Sequence, residues 1–171
     1  YGAKHYHLDI TATLLELMGR KVPETWDGQG FSDALKAGRD EGRVSLVLSQ
    51  AAWACQRGVR YGDWLYLNTR HDAFHLWEDE MLFNIRVDPH QQTNLSKPRS
   101  IELGQGRDLL ATWRGDRLAT AARGRDPHDN VIAEGGPYHV RGKLPAYLKR
   151  LRETGRSGLA DQLSEKYPDQ V

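Results

Sequence analysis

The stretch WACQRGVRYGDWLYLNTR, residues 53–70, constrains this chain more than any other. Two runs rich in aromatic and β-branched residues flank Tyr61-Gly62-Asp63, the composition of a tight turn, so the stretch reads as a β-hairpin. In its second arm Trp64 and Tyr66 alternate with Leu65 and Leu67, which puts large side chains on both faces. VSLVLSQ (44–50) before it is β-branched and apolar, and MLFNIRV (81–87) after it alternates Leu82, Asn84 and Arg86 with Phe83, Ile85 and Val87. These runs predict three or four strands of a small antiparallel sheet. Such a sheet needs helices to cover it.

Helical signals lie on both sides of that block. DITATLLELMG (9–19) predicts a helix capped by Asp9 and stopped at Gly19, with Ile10, Leu14, Leu17 and Met18 on one face. A helix this apolar needs a partner surface, so burial of Leu14, Leu15, Leu17 and Met18 is expected. RKVPETWDGQGF reads as a loop, and SDALKAG as a short helix with Ser32 capping and Gly38 closing. RDLLATWRGDRLATA (107–121) predicts an amphipathic helix with Leu109, Leu110, Trp113 and Leu118 on or near one face. Residues 123–142, rich in Gly, Pro, Asp and His, read as an extended connection, and KLPAYLKRLRETG and GLADQLSEKYP as two closing helices. The expected class is α+β.

Composition narrows the possible functions. The 171 residues carry 24 Lys and Arg against 23 Asp and Glu, so no bulk field favours nucleic acid or a membrane surface. Apolar runs are far shorter than the roughly 20 residues that span a bilayer. One cysteine, Cys55, excludes an internal disulfide and a multi-cysteine zinc site. The chain opens on YGAKHYHLDI, with no initiator Met and no secretory signal, which suggests a piece of something longer. Compartment is not readable.

The candidate chemistry is sparse. His5 and His7 share a face if extended, and His71 and His75 share one if helical, but no third ligand stands at a recognisable spacing, so no metal site is assigned. Cys55 sits beside apolar residues in an expected strand, where an inert buried thiol is favoured over a nucleophile. No G-x-S-x-G elbow and no phosphate-binding loop is present. In SQAAWACQR, by contrast, Gln50, Trp53, Gln56 and Arg57 gather two amides, an indole and a guanidinium around one strand connection. Arginine forks onto oxyanions and indoles stack on sugar rings, so these four are candidate substrate-binding residues, with a buried Trp among surface polar neighbours as the alternative.

LFNIRVDPHQQTNLS (82–96) resembles the late-chain signature of the sulfatase family. Upstream, HLDITATLLELMG, VPETWDGQGFSDALKAG and RGVRYGDWLYL resemble sulfatase segments in the same order, and LLATWRGDRLAT falls where the family's C-terminal helix packs. The resemblance covers residue 7 to about 122. Ala12 replaces the family's usual Pro, and Gln91 or Gln92 its usual Glu. It implies the C-terminal subdomain of an alkaline-phosphatase-like α/β sulfatase. On that reading residues 1–40 end the N-terminal α/β domain, 41–122 form the C-terminal subdomain, and 123–171 are a helical extension.

The resemblance further implies a whole protein that hydrolyses sulfate esters or sulfamates, carbohydrate ones included. Such an enzyme uses a formylglycine made from C/S-x-P/A-x-R and a calcium ion, with attack by the hydrated aldehyde on sulfur. None of that machinery is expected here, because Cys55 is followed by QRGV, and Asp129-Asn130 and Glu134-Gly135-Gly136 imitate family motifs from the wrong side of the signature. No catalytic residue is therefore assigned. The segment would shape the substrate cleft, be inactive alone and depend on the missing N-terminal catalytic domain or a companion chain. Without that partner, residues 10–18 should show an exposed apolar face. In the tail, His139 joins the candidate substrate-binding residues; His139 and Arg141 could form a lid or pin the tail down. The alternatives are a related phosphonate or phosphate ester hydrolase of the superfamily, and a non-catalytic module that binds a carbohydrate or a protein partner.

Overall fold

A computed structural model describes residues 2–121 and 124–171. Its backbone contacts divide the chain into two compact units, one of residues 2–46 with 60–62 and the other of residues 47–59 and 63–171. The subdomain boundary expected at 122/123 lies outside the described residues.

The first unit is organised by one carboxylate. Helix α1 runs from His7 to Leu17 with Tyr6 at its N-cap, so Asp9 is the third helical residue rather than the cap. Its fully buried carboxylate accepts from the Tyr6 N–H (2.7 Å), the Gln29 N–H (2.8 Å), and Arg43 through Nε (2.8 Å) and Nη2 (2.5 Å). Reaching back to the cap residue, as a capping-box Glu does, it secures the helix start. Thr13 donates to the Asp9 carbonyl and accepts from the Phe31 N–H, tying the following loop to the same face of α1. Gly28 is required there, because a Cβ would lie 2.4 Å from the Leu8 carbonyl oxygen. The loop ends in the short helix α2 (Ser32–Lys36), capped by Phe31 rather than Ser32.

The face of α1 that packs is therefore the small and polar one: Asp9, Ala12 and Thr13 are buried. Ile10, Leu14, Leu17 and Met18 are 44–66% exposed and Leu15 is half-buried, so the burial expected for that stripe does not occur within the chain. The exposed apolar face on residues 10–18 is what is seen.

In the second unit lies most of a four-stranded sheet of order β1-β2-β3-β4: Ser45–Gln50, Cys55–Tyr61, Trp64–His71 and Glu80–Asn84. Strands β3 and β4 are antiparallel, with Leu65 opposite Phe83 and Tyr66 opposite Leu82. β4 ends at Asn84, three residues before the expected Val87, because the chain turns there: the Asn84 carbonyl accepts from the Val87 and Asp88 N–H groups. Asp88 then caps the next turn by accepting from Gln92 and Thr93, and Asn94 and Leu95 return to the strand edge. Asn94 Oδ1 accepts from the Leu82 N–H at 3.0 Å, while the Leu95 N–H donates to the Leu82 carbonyl at 2.7 Å.

Helix α3 (Ser100–Thr120) packs on β3 and begins seven residues before the expected 107. Gly104 and Gly106, poor helix formers, disguise that start, although Gly106 is buried within it. A further helix, α4 (Pro127–Ala133), forms inside the stretch expected to be extended. Its cap is Asp126, whose carboxylate accepts from the His128 N–H at 3.0 Å, followed by Pro127 in the first turn. Helices α5 (Leu144–Glu153) and α6 (Ser157–Lys166) close the chain as a hairpin around Leu144, Leu148, Leu151, Ala160 and Leu163, with Phe74 and Val140 in the same core. Among the described residues no helix is long and apolar enough to cross a membrane.

Candidate functional site

The two faces of the sheet do different work, and the alternation of β2 sends the candidate residues to both. Gln56 lies on the face left open by the helices. There Gln50 Nε2 donates to Gln56 Oε1 (2.7 Å) and Gln56 Nε2 donates to Thr69 Oγ1 (2.9 Å). This amide chain borders a hollow of about 610 Å³ lined by Leu48, Leu65, Leu67, Trp77, Met81 and Phe83 among others. Gln56 is buried and satisfied, whereas Gln50 is exposed.

Arg57 points the opposite way and is fully engaged. Its Nη1 and Nη2 donate to the two oxygens of Asp126 at 2.5 and 2.6 Å, its Nε donates to Ser49 Oγ at 3.2 Å, and its guanidinium lies 5.3 Å from the Trp113 ring centre. Arg114 Nε shares Asp126 at 2.8 Å, and Arg70 binds Asp129 at 2.5 Å. The Arg57 side chain is 10% exposed and that of Asp126 2%. Hydrogen bonds from Arg57 hold the Asp126 carboxyl well below the usual carboxylate range against the effect of burial. Beside them His128 is buried, which pushes its imidazole pKa down, and Arg57 pushes it the same way. This constellation fixes α4 to the sheet; a guanidinium so occupied has little left for a ligand.

Trp53 stands apart from both. It sits in the β1–β2 connection, 73% exposed, with its ring edge-on to His139 at 5.4 Å between centres. The fold thus brings together two candidates that lie 86 residues apart in sequence (139 − 53). They rim a pocket of about 550 Å³ floored by Phe74, Val140 and Tyr147, with His75, Lys143 and Arg150 around it. Lys143, Ala146, Tyr147 and Arg150 follow one another at i, i+3, i+4 and i+7, so their common helix face was readable from spacing alone. Arg141 is not part of the pocket. It donates through Nε to the Gly136 carbonyl (2.8 Å), pairs with Glu134 and lies over the Tyr138 ring, pinning the tail.

The loop behind the pocket is held in unusual geometry. Ala73, Phe74 and Leu76 have φ of 54°, 69° and 58°, a region that costs non-glycine residues energy. A buried network enforces it. Asp72 accepts from the Phe74 N–H (2.9 Å), Tyr167 Oη (2.5 Å) and Lys166 Nζ (3.0 Å), and His71 Nδ1 accepts from the Ala73 N–H (3.0 Å). Burial alone would raise the Asp72 carboxyl, but the bonds from Tyr167 and Lys166 outweigh it and keep it ionised. His71 is buried, which pushes its pKa down, and its Nε2 lies 3.2 Å from the Gln170 side-chain amide. His75 is exposed on this non-helical loop, so His71 and His75 do not share a face.

The residues present do not suit the groups that sulfatase chemistry uses. Cys55 is buried in β2 with its thiol pushed up by burial, and QRGV follows it. Asp129 is committed to Arg70, and the Glu134-Gly135-Gly136 stretch is structural: a Cβ on Gly136 would lie 2.5 Å from the His71 ring. Among the described residues no three His, Cys, Asp or Glu side chains converge as metal ligands.

No protein-family model matches the sequence, and no curated protein matches it. Solved structures do share its fold. BT4656, solved with its substrate D-glucosamine-2-N,6-O-disulfate, superposes with a TM-score of 0.55 at 14% identity, over 70% of this chain and 25% of that one. The yidJ protein of Bacteroides fragilis, a candidate sulfatase, gives 0.50 at 21% identity over the same shares. At such identities the likeness is one of fold: the chain has the α+β fold of a sulfatase C-terminal region and spans about a quarter of the length of these structures.

Proposed function

We propose that this chain is the C-terminal part of a sulfatase whose complete form hydrolyses sulfate esters or sulfamates, carbohydrate ones included. The observation that carries the reading is the fold shared with BT4656 and yidJ over 70% of the chain, found in a sequence with sulfatase-like segments in family order. A calcium ion and a formylglycine would then belong to residues outside these 171. Their chemistry would supply the nucleophile and the charge stabilisation at sulfur.

The segment's own contribution would be to the walls of the cleft and to holding the catalytic domain. Ile10, Leu14, Leu17 and Met18 make an apolar stripe suited to packing against the N-terminal domain. Gln50, at the mouth of the open sheet face, Trp53 and His139 are the candidate residues whose polar or aromatic groups remain accessible to a substrate. Arg57 belongs to the framework rather than to recognition.

The test is product release by the complete protein. Inorganic sulfate liberated from p-nitrophenyl sulfate is the expected result. Phosphate or phosphonate ester cleavage without sulfate release would instead assign the chain to a sister hydrolase of the superfamily. Trp53→Ala should lower kcat/KM on a sulfated oligosaccharide at unchanged melting temperature. An unchanged kcat/KM would remove Trp53 from substrate recognition.

A further inference from the structure

We infer that the pocket between the 72–77 loop and α5 binds an oxyanion-bearing sugar unit, ring against Trp53 and Tyr147, anionic group between Lys143 and Arg150. In choosing a sugar over other ringed anions this rests on the sulfatase reading; the pocket itself rests on its own lining.

Charge comes first. The chain as a whole is nearly balanced, at 24 basic to 23 acidic residues, yet the pocket lining contains no Asp or Glu. Lys143 and Arg150 are exposed, and neither has an acidic partner among the described residues. The imidazoles of His75 and His139 add donors. Lys143 at the N-cap of α5 and Arg150 two turns on can both direct their donors to an anion held between them.

Shape is the second observation. Trp53 keeps 73% of its surface in water and Tyr147 38%, although large rings gain most by burial. Phe74 lies 6.3 Å from Tyr147 between ring centres with the two planes 22° apart, so a pair of aromatic rings lines the pocket. A volume of about 550 Å³ falls within the range of small-ligand sites. Sugar rings offer C–H faces to such aromatics and can carry a sulfate or a carboxylate on one edge. An arginine fork and a lysine read that feature.

Rigidity is the third. The left-handed backbone at Ala73, Phe74 and Leu76 is imposed by the Asp72–Tyr167–Lys166 network rather than by glycine. A strained, over-determined loop under an open pocket is pre-organised, which lowers the ordering cost of binding.

Titration of the complete protein with three disaccharides tests this: one sulfated, one carrying only a uronate, one neutral, with inorganic sulfate as control. Trp53 fluorescence or calorimetry gives the dissociation constants. At least one anionic disaccharide should bind ten-fold or more tighter than the neutral one, and the stronger of the two identifies the anion as sulfate or carboxylate. Lys143→Gln with Arg150→Gln should erase that preference, and Trp53→Ala should weaken every disaccharide, all at unchanged melting temperature. Equal binding of the neutral sugar, indifference to the substitutions, or no binding at millimolar concentration would each overturn the inference. Binding of an acidic aromatic peptide where none of the disaccharides binds would also overturn it, in favour of a peptide dock. Sulfate release from p-nitrophenyl sulfate is read separately. A turnover-competent protein with an indifferent pocket defeats only the pocket, and a sugar-binding protein without turnover defeats only the sulfatase reading.

Discussion

The second unit holds two groups of cations with opposite fates. Arg57, Arg70 and Arg114 are spent on Asp126 and Asp129 against the sheet, while Lys143 and Arg150 face an open pocket with no carboxylate in it. Residue type does not separate them, since Arg57 was the more attractive ligand-binding candidate by sequence. What separates them is whether the fold delivers an acid. A guanidinium bound at both ends of a buried carboxylate is a structural bolt, and an exposed cation on an apolar rim is available to a ligand.

The largest effect that can break this comparison is Asp126→Ala. It strips a buried partner from Arg57 and removes the cap of α4, so a loss of about 3–5 kcal/mol is expected in denaturant unfolding. A loss below roughly 1 kcal/mol would mean that Arg57 is freer than its geometry indicates. Acid unfolding is the next test. Asp126, Asp72 and Asp9 all have depressed folded-state pKa values, Asp9 at about 2. Their stabilisation is fully present above the unfolded carboxyl value of about 4 and is lost as pH falls through the folded values. Melting temperature should therefore be insensitive to these groups above pH 5 and fall steeply below pH 4, less steeply in Asp126→Ala. Equal slopes would remove Asp126 from the linkage. The smallest effect belongs to the other group: Lys143→Gln with Arg150→Gln should change stability by less than about 0.5 kcal/mol. A larger cost would show that these cations have a structural role after all.

Much of the fold was legible because local rules and tertiary packing agree. The hairpin about Gly62-Asp63, the turn from Asp88 to Leu95, and the closing pair α5 and α6 each carry their own periodicity, cap or turn residue. Where local rules conflicted, the reading slipped. The helix expected from 107 missed the first turns of α3, which hold Gly104 and Gly106, and Asp126-Pro127, a sound helix start, was lost among glycines and prolines. The stripe Ile10, Leu14, Leu17 and Met18 was seen as one face; burial was expected for Leu14, Leu15, Leu17 and Met18, and exposure of 10–18 where the partner domain is missing, because amphipathicity indicates which side seeks a partner and not whether this chain supplies one.

By itself the sequence determined the α+β class of the fold and the order of its elements apart from α4, since periodicity, caps and turns depend on neighbours within a few residues. It also suggested Gln50, Trp53, Gln56, Arg57 and His139 as one set. Only the tertiary structure divided them: Gln50 and Gln56 on the open face, Arg57 behind the sheet on Asp126, and Trp53 with His139 over the pocket of Lys143 and Arg150. The reason is physical. The use to which a charge or an aromatic ring is put depends on which distant groups share its few ångströms, and those are chosen by the packing of α4 and α5 rather than by anything adjacent in the chain.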